Sequence, residues 1–240
     1  MEITEHDIHL LAEVATKAQA YYDEFSDLAH GWEHVQRVYH LALYLAEQEK
    51  ADGLIVGMAA LLHDLGRTTR GPMRSHAARS VKLAKKVLAS YNLPQETQQA
   101  IFHAILAHSY RHGIEPATLE ARVVADADRL DSLGASGVMR WALTTKHGRW
   151  PETKTYHPED PFAFWRGPDG QRYLLDHFFS KRSRLPDAMT TTSGLAIAER
   201  RIAFMRLYLQ ELQREEQPAE DLHNGRVVEM SRLSGKQQPV

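Results

Sequence analysis

The chain has 240 residues, 43% hydrophobic and 25% charged, which is the balance of a water-soluble globular protein long enough to bury a sizeable core. Its 29 basic and 31 acidic residues leave a formal charge of −2, so no global field draws it to nucleic acid or to an anionic membrane. With no cysteine, disulfides, thiolate zinc sites, cysteine-ligated iron–sulfur clusters and cysteine nucleophiles are excluded.

Helical periodicity dominates the chain. Ile8, Leu11, Val14, Ala15, Ala18 and Tyr22 mark one face of a first helix, and Val35, Val38, Tyr39, Ala42, Leu45 and Ala46 mark a second. The run LIVGMAALL over 54–62 is almost wholly apolar. Its Gly57, Met58, Ala59 and Ala60 fit a buried helix better than a strand, which favours β-branched and aromatic types. Gly66 is read as the C-cap that ends it.

Ser75 is a candidate N-cap for a helix through Ala77, Val81, Ala84 and Leu88. Pro94 opens the next, with Ala100, Ile101, Ala104 and Ile105 on one side. Another is expected from about Pro116 towards Gly134, then a shorter one through Val138 and Trp141. Residues 146–170 hold four prolines and read as a loop too long for a passive connection. Trp150, Tyr156, Phe162, Phe164 and Trp165 along it could stack on a base as a lid, or simply pack on helices. Helices Tyr173–Lys181 and Gly194–Glu215 are expected next, then a polar tail over 216–240. No strand, repeat or linker is evident. The expectation is one all-α domain over 1–215, with a core at about 20–145 and C-terminal helices at about 171–215. No basic-then-apolar leader and no run of ~20 apolar residues is present, so a cytoplasmic protein is expected, with neither nucleic acid nor membrane as a partner.

The histidine count of 14 stands out, because several lie in apolar runs beside carboxylates. His63-Asp64 closes the apolar helix in ALLHDLGR. Helix neighbours point about 100° apart, so two can share one ion most easily where the helix is ending. Asp64 at a helix C-terminus meets the negative end of the dipole and needs a compensating cation. The plainer reading is that His63 caps its helix and Asp64 lies in solvent. His34 shares a face with Val35 and Val38 and is either a tucked core histidine or a ligand. Arg37, three residues on, is either a phosphate-holding group or a surface ion pair with Glu33. In VVADADRLDSLG, Asp128 and Asp131 share a face with Val124, and Asp126 points elsewhere. Acids on an apolar face are costly unless paired or metal-bound. The alternative is a helix surface balanced by Arg122 and Arg129.

Together, GWEHVQRV, ALLHDLGR and ADRLDSLGASG resemble the HD superfamily, named for its His-Asp doublet. SHAARSV, AILAHS, HFFSKRSRL and MTTTSGLAIAERR resemble its bacterial YpgQ- and YedJ-like subfamily, and the likeness spans roughly residues 20–215. The resemblance implies an all-α HD-domain helical bundle in which His34, His63, Asp64 and Asp128 converge on one divalent cation. Mn²⁺ or Mg²⁺ is expected, with Fe, Ni and Co as alternatives. It also implies phosphoester or phosphoanhydride hydrolysis, and for this subfamily release of pyrophosphate from nucleoside triphosphates. Asp126 competes with Asp128 as the distal ligand. Asp128 is chosen because the family's aspartate follows an alanine and precedes a run like Arg-Leu. Some members place a catalytic glutamate where Arg67 stands. A basic residue there suits a substrate with more phosphate charge than a monophosphate.

In the expected mechanism the ion polarises a phosphoryl oxygen and lowers the pKa of a water. Arg37, Arg67 and Lys181 are candidates to hold phosphates, with Arg182 and Arg184 as equal alternatives to Lys181. Asp64 and Asp131 carry catalytic or positioning roles, Asp131 by orienting the attacking water or a ligand histidine. His108 is expected to bind phosphate or act as general acid or base, unless it is an ordinary buried-edge histidine. His76, His103 and His108 raise the question of a second metal, since two-metal members add histidines between the doublet and the distal aspartate. His103 and His108 are five apart, about 140° around a helix, so they cannot both face one site, and one ion is expected. The competing readings are a phosphatase or phosphodiesterase acting on a monophosphate or cyclic nucleotide, and a non-catalytic nucleotide-binding module. A homodimer is left open.

Overall fold

Helices account for the architecture of the computed structural model, which describes residues 3–69, 75–109, 113–146 and 154–216. Among them there is no strand, only an isolated bridge between Lys154 and Tyr173. In chain order the α-helices are α1 Glu5–Gln19, α2 Trp32–Glu49, α3 Gly53–Leu62, α4 His76–Leu88, α5 Gln95–Ala107, α6 Leu119–Leu130, α7 Gly134–Lys146, α8 Asp176–Ser180 and α9 Thr192–Glu215. Single 3-10 turns follow α3 at Leu65–Arg67 and α8 at Arg182–Arg184 and Pro186–Ala188. None of these helices is long and apolar enough to cross a membrane.

The chain divides into two compact units. The first takes the chain through Asp131 together with Thr190–Leu195, and the second takes Ser132–Met189 and the chain from Ala196 on. At the centre of the first unit lies α3, packed against α1, α2, α5 and α6. Its apolar run explains that position, since a helix that is hydrophobic all round must be buried on every side. Val56, Met58, Ala59, Ala60, Leu61 and Leu62 are all inaccessible or nearly so. Caps are local and readable. Thr4 and Asp7 form a capping box on α1, and the Asp52 carboxylate accepts from Leu54 N–H and Ile55 N–H at the start of α3. The Ser75 hydroxyl accepts from Ala78 N–H, as expected for α4. The Thr118 hydroxyl accepts from Ala121 N–H and caps α6.

Gly66 differs from its expected role. The backbone leaves α3 at His63, and Gly66 falls inside the 3-10 turn. A Cβ there would lie 2.1 Å from the His76 carbonyl oxygen and 2.6 Å from Ser80 N. Glycine is required because the turn presses on the first turn of α4, and not for a left-handed cap.

Candidate metal centre

The apolar helix α3 delivers His63 and Asp64 by ending between them. His63 keeps a right-handed helical backbone (φ −59°, ψ −37°), while Asp64 has turned away at φ −110°, ψ 8°. That change lets neighbours that would diverge on a helix both face inward, with His63 0% and Asp64 1% exposed. His34 comes from the first turn of α2, Asp128 from the last turn of α6, and Asp131 is the C-cap of α6.

The hydrogen bonds assign the tautomers. His63 Nδ1–H donates to the Ala60 carbonyl at 2.7 Å, and His34 Nδ1–H donates to Asp131 Oδ2 at 2.7 Å. Each ring therefore turns an Nε2 lone pair inward, and the two Nε2 atoms are 3.3 Å apart. Asp64 Oδ2 lies 3.7 Å from both nitrogens, and Asp128 Oδ1 lies 3.4 Å from His34 Nε2. Donors about 2.1–2.2 Å from a shared cation, at right or tetrahedral angles, are separated by roughly 3.0–3.6 Å. The residues fit a divalent cation. The two buried Nε2 atoms lie within ligating distance of one ion, and buried Asp64 Oδ1 has no hydrogen-bond partner.

Electrostatics keep these groups in their ligating forms. Burial pushes His63 from 6.5 down to about 4, so the ring is neutral. Burial alone would raise Asp64, but the Arg67 guanidinium and His63 hold it well below the carboxylate range. Asp128 is likewise lowered, with burial overcome by His34 and His63.

On the other side of Asp64 stand two more imidazoles. His76 Nε2 and His108 Nε2 lie 3.4 Å and 3.6 Å from Asp64 Oδ1, and 3.3 Å from each other. Nδ1–H of His108 donates to the Ile105 carbonyl. Burial opposes charge on His108, yet Asp64 raises its pKa overall. Burial takes His76 down to about 3. His103 is elsewhere, accepting from Ala117 N–H, as its angular offset from His108 required. The sequence raises His76 only as a candidate for a second metal, and the structure brings it against Asp64 and His108. The signal was the glycine at 66, which lets the start of α4 approach the doublet turn.

Arg67 enters this second group. Its Nε donates to Asp64 Oδ2 at 2.5 Å and its Nη2 to His76 Nε2 at 3.3 Å, with 31% of the side chain exposed. Arg37 is placed differently from its expected role in holding phosphate. Its Nε and Nη2 both donate to the Asp131 carboxylate, at 2.8 Å and 3.1 Å. Arg37 thus fixes Asp131, which in turn fixes His34.

Asp126 and Asp128 separate cleanly. The Asp126 carboxylate is 0% exposed and accepts from Arg129, from the backbone N–H groups of Thr190 and Thr191, and from both threonine hydroxyls. Its lone pairs are occupied by donors, whereas Asp128 points at His34. Tyr22, read only as part of a helix face, has a buried hydroxyl with no hydrogen-bond partner. Burial raises its pKa and Asp64 adds to the shift, while Arg67 opposes it.

Lys181 belongs to the second unit, exposed at the end of α8. The aromatic segment is in the same unit. Phe162 and Phe164 stack at 5.9 Å, Tyr156 O–H donates to Glu216, and Trp165 is exposed. Trp150 lies outside the described residues.

A family model described as the HD domain matches residues 31–133, which contain every member of the constellation except Tyr22. The Bacillus subtilis protein YpgQ is 33% identical over 193 residues, covering 78% of this chain and 84% of its own. Its crystal structure in complex with ADP superposes with a TM-score of 0.66 at 28% identity, over 90% of this chain and 98% of that one. An HD-superfamily hydrolase from Bacillus thuringiensis superposes at 0.68 with 25% identity, over 87% and 97%. On the relationship to YpgQ and the matched domain, the chain belongs to the HD-domain family.

Proposed function

We propose that this chain is a divalent-cation-dependent phosphohydrolase that converts nucleoside triphosphates to monophosphate and pyrophosphate. The observation carrying this reading is the pair of buried Nε2 lone pairs of His34 and His63, 3.3 Å apart and flanked by Asp64 and Asp128. These four residues would hold the ion. Two imidazoles with two carboxylates suit Mn²⁺ or Mg²⁺, and Fe, Ni and Co also accept imidazole. A cation bound there supplies Lewis acidity to phosphoryl oxygen and to water.

The chain's own groups do the rest. Asp131 holds the His34 tautomer and is held by Arg37. Arg67 presents a fixed positive charge beside Asp64 to neutralise phosphate oxygens. His108, with its Nε2 facing Asp64, is the candidate to bind phosphate or to protonate the leaving oxygen. One ion is favoured over two, because the Arg67 guanidinium already brings a positive charge to the Asp64–His76 side. The nucleotide assignment draws on the ADP complex of the relative YpgQ. The triphosphate assignment draws on an arginine, not a carboxylate, at position 67.

The test is to incubate metal-stripped protein with a panel of nucleoside triphosphates, with and without Mn²⁺, and to resolve the phosphate products. The expected products are monophosphate and pyrophosphate, made only with metal and not by Asp64→Ala. Orthophosphate alone would move the assignment to a phosphatase, and no turnover of any triphosphate would sink it.

A further inference from the structure

The second unit buries a positive charge that nothing in the reading above uses. Arg182 is 4% exposed, and its Nε is buried without a hydrogen-bond partner. Its Nη1 lies against His177 Nδ1, and its guanidinium carbon sits 5.4 Å over the Trp141 ring. Arg140, next to Trp141 on α7, is 7% exposed. Burial, and then the Arg140 charge, push the Arg182 guanidinium down to about 9. Among the described residues no carboxylate pairs with Arg182. Asp176, earlier in the chain, is taken by the Arg166 guanidinium and by Asp169 N–H, and Asp187, later in the chain, is exposed.

Burying a charge without a counter-charge is strongly unfavourable, and an unsatisfied buried donor marks a place where an ion or water belongs. Trp141 beneath the guanidinium plane stabilises the cation but cannot neutralise it or satisfy an in-plane N–H. The missing component is an acceptor in the plane of the fork. Carboxylates and phosphates both match a guanidinium bidentately. Local charge decides between them. The Arg140 charge acts on Arg182 as well, so a multiply charged phosphoryl group is a better complement than a singly charged carboxylate.

We propose that Arg182 forms an oxyanion site within the second unit, on the Trp141–His177 side, that takes a phosphoryl group. The group can belong to free phosphate or pyrophosphate, or to a nucleotide. The site does not depend on which reaction the metal centre performs.

Isothermal titration of the full chain with inorganic phosphate, pyrophosphate and a nucleoside monophosphate, each with Mn²⁺ and with chelator, tests this, with acetate as the carboxylate control. A binding event that survives chelation and is weakened at least tenfold by Arg182→Met is expected. Its appearance with phosphate or pyrophosphate assigns a free anion, and with the monophosphate alone a nucleotide. Thermal melts separate ligand binding from a structural role. Without anion, Arg182→Met should melt no lower than wild type, since it removes an uncompensated buried charge. Phosphate should raise the melting temperature of wild type only. Arg182→Lys, which keeps the charge and loses the fork, should also bind at least tenfold more weakly, which covers a methionine variant that fails to fold. Wild-type binding that needs Mn²⁺, equal binding by both variants, binding of acetate alone, or no binding would overturn the proposal.

Discussion

His34 Nε2 and His63 Nε2 lie 3.3 Å apart, both rings inaccessible to solvent and each Nδ1 engaged by an acceptor. A cation between the two nitrogens would be ligated by both. Asp131 and the Ala60 carbonyl enforce this arrangement, one on each ring.

Asp131→Asn therefore tests the support of the site. The amide keeps the shape but weakens the acceptor for His34 Nδ1–H. Loss of such a partner costs about 10–100-fold in metal affinity. Titration with Mn²⁺ should show that loss while the fold stays intact. An unchanged affinity would remove Asp131 from the account.

The neighbouring acids of α6 should behave in opposite ways. Asp126→Ala strips the acceptor from Arg129 and from four donors of Thr190 and Thr191. Breaking a buried pair in this way costs about 3–5 kcal/mol. Asp128→Ala, which strands no hydrogen-bonded donors, should destabilise metal-free protein much less than Asp126→Ala and should abolish metal binding. Denaturant melts and metal titrations on both variants check this, and a reversed pattern would exchange their roles.

How far the sequence reached depended on whether a feature is local. Caps at Ser75 and the apolar run of α3 are local, and both were readable. The doublet was readable because His63 and Asp64 close that run. The partner of Arg37 was not, because Asp131 is 94 residues away and an exposed ion pair with Glu33 satisfies the same local pattern. Gly66 looks like a cap from its neighbours alone, because the backbone of α4, which it must admit, is not local. The identity of the distal aspartate rested on resemblance until the donors around Asp126 were seen.

Arg67→Ala should raise the number of ions bound. Without the guanidinium, Asp64 Oδ1, His76 Nε2 and His108 Nε2 form a second group of donors 3.3–3.6 Å apart. Elemental analysis after equilibration with excess Mn²⁺ should move from one ion per chain to two. A value that stays at one would show that Arg67 is not what limits the site to a single ion.

Metal-free protein should lose stability as pH falls from 7 to 5. Burial lowers His63 to about 4 and His76 to about 3, against an ordinary 6.5. Between 6.5 and 4 the unfolded chain binds protons that the folded chain refuses, so stability falls with pH. Each ring contributes roughly 2 kcal/mol by pH 5, at about 1.4 kcal/mol per pH unit. Asp64 and Asp128, lowered from 3.8, act only below that window, and the raised His108 acts above 6.5. Denaturant melts at pH 7, 6 and 5 in chelator check the slope. A flat profile would mean that the rings are not held neutral.

The most direct test is equilibrium binding of Mn²⁺ to the full chain at neutral pH, on wild type and on His34→Ala. The account predicts one tightly bound ion per chain in wild type and none in the variant, with both proteins folded by circular dichroism. Equal binding by the two would contradict it, because the facing lone pairs of His34 and His63 would then have no part in holding metal.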